Sequence, residues 1–351
     1  MSKAGQRIRV CRVSAHSCIA ILMSVCAAMS GCSDEKPAGT GGSAGTGGAL
    51  DGGGTGGTSP QLSLNIDEAA RISSPFDATP DPDGNFVYIT ALDRESGAGV
   101  FKVAAGGGAA TPLHVGSPFV SPFGIATSSD GKTLYVADPA WESEDGASTG
   151  QIFALSASGG SPAAVAGTAG LSARGLEVFD ENGKDQIIFS GREKDGSAGV
   201  FKVAATGGNV TRLSEGVALS DPSGIAVGKA GEIYVADTRS SGARSASIVL
   251  IKAGASSEIS SDVPVGYPVG IALTKDDKTL MVSGLDRATL TDVVYAVDVA
   301  SKSVSTFVGS DSIKINQFEE PAGVHRAKNG NVFAWADSNA NGGGTVYVIG
   351  K

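Results

Sequence analysis

Beyond residue 60 the chain alternates apolar and polar residues in short runs, separated by Gly, Asp, Asn and Ser. Around residues 222–264 the runs read GIAV, EIYVAD, SIVLIKA and SSEISSDV. Alternation with a period of two puts one face of a strand into a core, and the intervening turn residues bound each strand. No stretch sustains the 3.6-residue period of an amphipathic helix, so the pattern predicts an all-β fold.

The pattern also repeats. SPFGIATSSDGKTLYVAD at 121–138 returns as DPSGIAVGKAGEIYVADT at 221–238 and YPVGIALTKDDKTLMVSG at 267–284. Its Gly falls at Gly124, Gly175, Gly224, Gly270 and Gly323, with Asp77 in that place in the first copy, at spacings of 47, 51, 49, 46 and 53 residues. The turns PDG (82–84), SDG (129–131), ENG (181–183) and KNG (328–330) sit between the first two strands of their units, where a tight hairpin needs positive φ. Units of this length with four strands each predict a six-bladed β-propeller with four antiparallel strands per blade. Gly-Ile-Ala suits an innermost strand, where blades converge and side chains must be small. The last unit, Ala322 to Lys351, supplies only three strands: GVHRA, VFAWAD and TVYVIG. The orphan run LSLNID at 62–67 is therefore expected to complete the sixth blade and close the ring, removing a bare sheet edge.

PSGIAVGKAGEIYVADT at 222–238 resembles an NHL repeat, and GVFKVAAGGGAATPL (99–113) and GVFKVAATGGNVTRL (199–213) resemble blades of TolB-type propellers. The resemblance covers residues 60–351 and implies architecture far more than activity. The blade pattern more distantly resembles the gluconolactonase and senescence-marker group of lactone hydrolases. That resemblance implies a divalent metal at the mouth of the channel, held by an Asn before the inner-strand Gly, an early Glu and an Asp. Here the residues before that Gly are Phe123, Arg174, Ser223, Val269 and Ala322, with Phe76 in the first unit, and PFDAT supplies no Glu. The ordinary lactonase ligands are not matched, and Arg174 would repel a cation.

The first residues carry a different signal. Lys3, Arg7, Arg9 and Arg12 precede an apolar run from Ile19 to Met29, too short for a permanent span, and the run ends in MSGC. This resembles a bacterial lipoprotein signal, which implies cleavage after residue 31 and lipidation of Cys32. Residues 32–59, almost all Gly, Ala, Ser and Thr, cannot bury apolar area and read as a flexible tether with a span of roughly 30 Å. The propeller then occupies 60–351. Ser33 after the lipidated Cys favours the outer membrane of the cell envelope, with the periplasmic or surface side left open. Cys11, Cys18 and Cys26 lie in the leader, so the ring has neither thiols nor disulfides.

Without the leader the chain has 23 basic against 36 acidic residues, a net charge of −13. Such acidity repels nucleic acid and tolerates divalent cations. His114 and His325 are the only histidines of the ring, and no GxSxG elbow occurs, so nucleophile-and-base catalysis lacks its parts. His114, in PLHVG, reads as a surface residue of an outer strand. His325 and Glu177 each stand two residues after the inner-strand Gly, in blades that should face each other across the ring. They are read either as polar residues in a wet channel or as ligand-binding groups. Asp138, Asp237 and Asp337 end the second strands of alternate blades, either bonding backbone amides or forming an acidic collar for a metal. DSNANG at 337–342, with Asn339 and Asn341, matches the first half of a calcium loop but has Val348 where the loop needs Glu, which leaves Ca²⁺ as the one candidate ion. The loops after the second strands differ in length and charge and should share one face, where propellers bind. Trp141, in the acidic stretch WESEDG, is either a recognition residue or packed on a blade, and Trp335 is core.

The leading expectation is a lipid-anchored binding or scaffolding module that recognises an envelope protein, peptide or glycan around Phe76, Phe123, Arg174 and Trp141. The alternative is an atypical metal-dependent lactonase or esterase with Asp77, Glu177, His325 and the Asp collar as improvised ligands.

Overall fold

A computed structural model of the chain describes residues 65–238, 245–265, 269–289, 291–309, 321–338 and 340–350. Cys32, the leader and the tether lie outside the described residues. Six four-stranded antiparallel sheets follow one another along the chain. Blade 1 is Pro75–Pro80, Phe86–Asp93, Gly97–Ala104 and Thr111–Val115; blade 2 is Gly124–Thr127, Thr133–Glu142, Thr149–Ser156 and Ala163–Ala164. Blade 3 is Leu176–Asp180, Asp185–Arg192, Ala198–Ala204 and Thr211–Arg212; blade 4 is Pro222–Val227, Ile233–Thr238, Ser245–Lys252 and Ala255–Pro264. Blade 5 is Ile271–Leu273, Thr279–Leu285, Asp292–Asp298 and Val304–Val308. Blade 6 takes Pro321–Arg326, Phe333–Asp337 and Thr345–Ile349 from the C-terminus and Ile66–Arg71 from the N-terminus. The first strands of the six blades contact one another in cyclic order, so the sheets form a ring.

The closing strand pairs antiparallel with Thr345–Ile349, from Ile66↔Ile349 to Arg71↔Thr345. It lies further along the chain than LSLNID suggests: IDEAAR does the pairing, and residues 62–64 fall outside the described residues. The apolar alternation of LSLNID was a weaker guide than the burial of Ala69 and Ala70 against the blade 1–blade 6 core. Two outer strands shrink to two residues each, Ala163–Ala164 and Thr211–Arg212, which leaves little bare edge for another chain to pair with.

The recurrent inner Gly has a sharper cause than taper. A Cβ on Gly124 would run into the carbonyl oxygen of Arg174, and one on Gly175 into that of Ser223. On Gly224 it would lie 2.6 Å from the Val269 carbonyl oxygen. The inner strands of blades 2, 3 and 4 thus abut the residue before the next blade's Gly, and backbone approaches backbone only where no side chain intervenes. The hairpin turns behave as expected at Gly84, Gly131 and Gly183, with φ of 74°, 71° and 78°. Gly330 of the KNG turn does not adopt positive φ; that hairpin turns through Ala327 to Val332, with the Gly330 amide bonded to Ala327 O.

Between blades the second and third strands supply the large side chains. Trp335 is fully buried and stacks on Tyr347 at 5.2 Å, and Phe189 stacks on Phe201 at 5.4 Å. Among the described residues no helix is long and apolar enough to cross a membrane.

Candidate functional site

The chain direction gives the ring two unlike ends. Inner strands start, and second strands finish, at the end carrying the long loops, here the loop face. The short hairpins between first and second strands form the other end, the turn face.

At the loop face, Phe76, Asp77, Phe123, Arg174 and His325 converge on the axis, as the residues around the inner Gly must. Phe76 and Phe123 stack at 5.1 Å between blades 1 and 2, and both remain half-buried. The opening between these residues is shallow, about 20 Å³. Arg174 turns to Asp221, Nη1 to Oδ1 at 2.6 Å, and Arg192 donates to the same oxygen at 2.7 Å. Asp221 and Arg192 had no distinguishing signal in the sequence, because Asp221 lies in the segment before blade 4 and Arg192 ends the second strand of blade 3, positions that vary between blades.

Below this mouth the channel is blocked by a chain of four charged side chains. His325 donates Nε2–H to Asp77 Oδ2 at 2.9 Å and Nδ1–H to Glu177 Oε2 at 3.4 Å. Lys328 donates to Glu177 Oε1 at 3.1 Å and to Val178 O at 2.9 Å. Asp77 also accepts the amides of Ala78 and, from blade 2, Ile125 at 3.0 Å. Blades 1, 2, 3 and 6 therefore meet through one charge-balanced cluster. The expected facing of Glu177 and His325 is observed, but as a desolvated ion cluster rather than a wet channel. Asp77 accounts for it: blade 1 carries a carboxylate where the other blades carry Gly, and Gly323 makes room for it, since a Cβ there would collide with Asp77 Oδ1.

Burial alone would push the His325 imidazolium down, but the Asp77 charge and hydrogen bond, with Glu177 behind it, raise it to about 10. Burial likewise opposes the Glu177 carboxylate, and Lys328 and His325 outweigh it, lowering that group to about 2. The side chains of Asp77 and His325 are 6% exposed, whereas Glu177 and Lys328 retain about a fifth of their exposure and look into a second cavity.

That cavity, about 330 Å³, opens at the turn face. Its walls include Phe179, Leu273, Arg326 and Lys328, with Asp180, Lys229 and Asp277 toward the rim. Lys328 and Arg326 read in the sequence only as turn-flanking residues, and nothing in the repeat marks them out.

The remaining site candidates are dispersed. Asp138 accepts the amides of Val120, Ser121 and Ala140, and Asp237 accepts those of Ser220 and Asp221. Burial raises both carboxyls against these bonds. Asp337 Oδ1 accepts the Ala340 amide, just before the short 3₁₀ turn Ala340–Gly342. These aspartates hold loops in place, one per alternate blade, and do not converge as a collar. Asn339 lies outside the described residues, as does the side chain of Asn341. Trp141 is not on a free loop: the second strand of blade 2 runs on to Glu142, and Trp141 packs edge-on against Phe153 at 6.1 Å. His114 is a half-buried residue of the outer strand of blade 1, and it bridges to blade 2, with Nδ1 2.9 Å from Gly160 O and Nε2 2.8 Å from Ser117 O.

Among the described residues no group of three or more His, Cys, Asp or Glu side chains is gathered to hold a metal ion. At the axis, His325 spends both ring nitrogens on carboxylates and has no lone pair for an ion. The divalent metal implied by the lactonase resemblance does not fit these residues.

Residues 219–241 match the NHL repeat family. In fold the chain is similar to a gluconolactonase from Xanthomonas campestris, at 14% identity and a TM-score of 0.57 over 83% of this chain and 90% of that one. It is similar to a protein of unknown function from Dyadobacter fermentans, at 10% identity and 0.55 over 82% and 97%. A putative TolB from Agrobacterium tumefaciens is also similar, at 15% identity and 0.53 over 81% and 97%. No curated protein matches the chain. At such identities the likeness carries architecture alone: the chain is a six-bladed β-propeller of the kind seen in NHL-repeat, TolB-like and gluconolactonase-like proteins.

Proposed function

We propose that the chain is a lipid-anchored propeller of the bacterial cell envelope that binds a protein, peptide or glycan on its loop face, and that it does not work as a hydrolase. The observation that carries this reading is the commitment of His325: with both nitrogens bonded to Asp77 and Glu177, the axis offers neither a general base nor a metal ligand at the mouth. The mouth itself suits a broad surface contact, because about 20 Å³ admits no small substrate, while stacked Phe76 and Phe123 stand half-exposed beside it. Val120, three residues before Phe123 and 53% exposed, adds apolar area on the same face. Lipidation of Cys32 and the Gly-rich tether would place this face within reach of envelope partners, and the outer membrane follows from Ser33.

Two measurements test the reading. Metal content of the purified chain, with melting curves in the presence and absence of chelator, addresses the hydrolase alternative suggested by the gluconolactonase-like fold. A metal-free protein indifferent to chelator is expected; a stoichiometric ion whose removal lowers Tm by several degrees would restore the lactonase reading and call for a lactone and ester screen. A photoreactive residue at Val120 should yield discrete cross-linked species in intact cells, and one at exposed Val304 on an outer strand should not. Equal labelling from both positions would remove the loop face as the binding surface.

A further inference from the structure

The turn-face cavity contains a cation, Arg326, that makes no ion pair among the described residues. Arg326 lies half-buried in its wall, donating Nε–H to Leu273 O at 2.6 Å and Nη1–H to the carbonyl oxygens of Ala327, Lys328 and Gly330. All of these acceptors are neutral. No carboxylate of the described residues pairs with Arg326, and Nη2, with two of the five guanidinium hydrogens, has no acceptor there. Burial pushes the guanidinium below its ordinary value, with Glu177 and Asp277 pulling back from a distance. Lys328 and Glu177 belong to the balanced axial cluster, while Asp277 and Asp180 keep their negative charges in the cavity lining, accepting the Lys229 amide at 3.2 Å and the Gly183 amide at 2.6 Å without bonding Arg326.

The volume, about 330 Å³, falls in the range of small-molecule sites. The cavity has a mixed lining: Val178, Phe179, Val227 and Leu273 give it apolar area, and Glu177, Asp180, Lys229 and Asp277 add charge. A half-buried cation with free donors beside the apolar side chains of the wall suits an anion on an apolar body. A carboxylate fits better than a bulkier anion, because two N–H groups on one nitrogen and the unspent hydrogen of the Lys328 ammonium offer only a few donors.

We propose that the turn-face cavity binds a small organic carboxylate with an apolar body, its carboxylate on Arg326 and Lys328 and its body against Val227, Leu273 and Phe179. The site is independent of the loop face: the Asp77–His325–Glu177 cluster separates the two ends, and a ligand in one cannot reach the other through the axis.

Hexanoate is the probe, with hexanamide as a neutral match of the same size, titrated calorimetrically into the purified full chain. Hexanoate should saturate with a Kd of about 1 mM or tighter, and hexanamide should bind at least about tenfold more weakly, the usual value of a charge-assisted bond to a buried cation. Arg326→Leu frees several buried carbonyls and risks the fold. The decisive variant is therefore Val227→Trp, a half-buried wall residue whose enlargement fills the chamber and leaves Arg326 in place. It should abolish hexanoate binding while its melting temperature stays within a few degrees of the parent. The proposal is overturned if hexanoate fails to bind, if hexanamide binds as well, or if Val227→Trp folds and still binds hexanoate.

Discussion

Replacing His325 with Gln tests whether the axial cluster closes the ring. The substitution keeps a polar side chain but removes the cation between Asp77 and Glu177. Asp77, 6% exposed, then keeps only the amides of Ala78 and Ile125. The span from 6.5 to about 10 for His325 corresponds to roughly 5 kcal/mol at about 1.36 kcal/mol per decade. Breaking one partner of a buried pair costs about 3–5 kcal/mol, the same range. With unfolding entropy of about 2.1 cal/mol/K per residue, a ring of this length loses about 1.7 °C of Tm per kcal/mol, so His325→Gln should lower Tm by about 5–8 °C. The pH dependence carries the sign. A His raised in the folded state contributes fully below about 6.5 and loses its contribution as pH climbs to about 10. Glu177, lowered from 4.5 to about 2, contributes above 4.5 and loses its contribution as pH falls toward 2. The cluster is therefore worth most between about pH 4.5 and 6.5. Urea titrations of parent and variant at several pH values between 6 and 10 should show the gap between them closing as pH rises. A gap below about 1 kcal/mol at pH 6, or one unchanged up to pH 10, would refute the assignment of a buried imidazolium.

Other changes separate the devices that hold the ring. Gly175→Ala should cost about 1–3 kcal/mol or more, because the new methyl meets the Ser223 carbonyl oxygen, whereas Gly343→Ala, with open space around it, should leave urea midpoints unchanged. Asp138→Ala leaves the Val120, Ser121 and Ala140 amides without their acceptor; a loss of about 1–3 kcal/mol in urea titration and faster proteolysis near Val120 are expected. Deleting the chain through Arg71 bares the Thr345–Ile349 edge, and size-exclusion chromatography should show association or aggregation where the parent gives a single species.

The architecture was legible because it repeats. Six copies of one pattern average out local ambiguity, and each copy had to satisfy the same packing constraint at its Gly. The irregular positions were legible only as exceptions: Asp77 for Gly, and Glu177 and His325 where other blades carry small residues. Their departure from the pattern identified them as important without saying what they touch. The sequence leaves Trp141 open between recognition and packing on a blade; the pairing of Glu142 with Thr149 extends the strand beneath it, and it packs against Phe153.

By itself, the sequence determined the strand count, the blade period, the antiparallel hairpins and the need for an N-terminal strand in the last blade, because all of these follow from short-range alternation and turn chemistry. Only the tertiary structure decided which charges meet. Asp77 and His325 are 248 residues apart and Glu177 and His325 are 148 apart, so their contact depends on ring closure and on the room left at Gly323. The same closure left Arg326 bonded to backbone carbonyls, with no carboxylate of the described residues in ion-pair contact, and opened the larger cavity at the turn face. Charge balance at the axis is a property of six strands brought together, and no single strand encodes it.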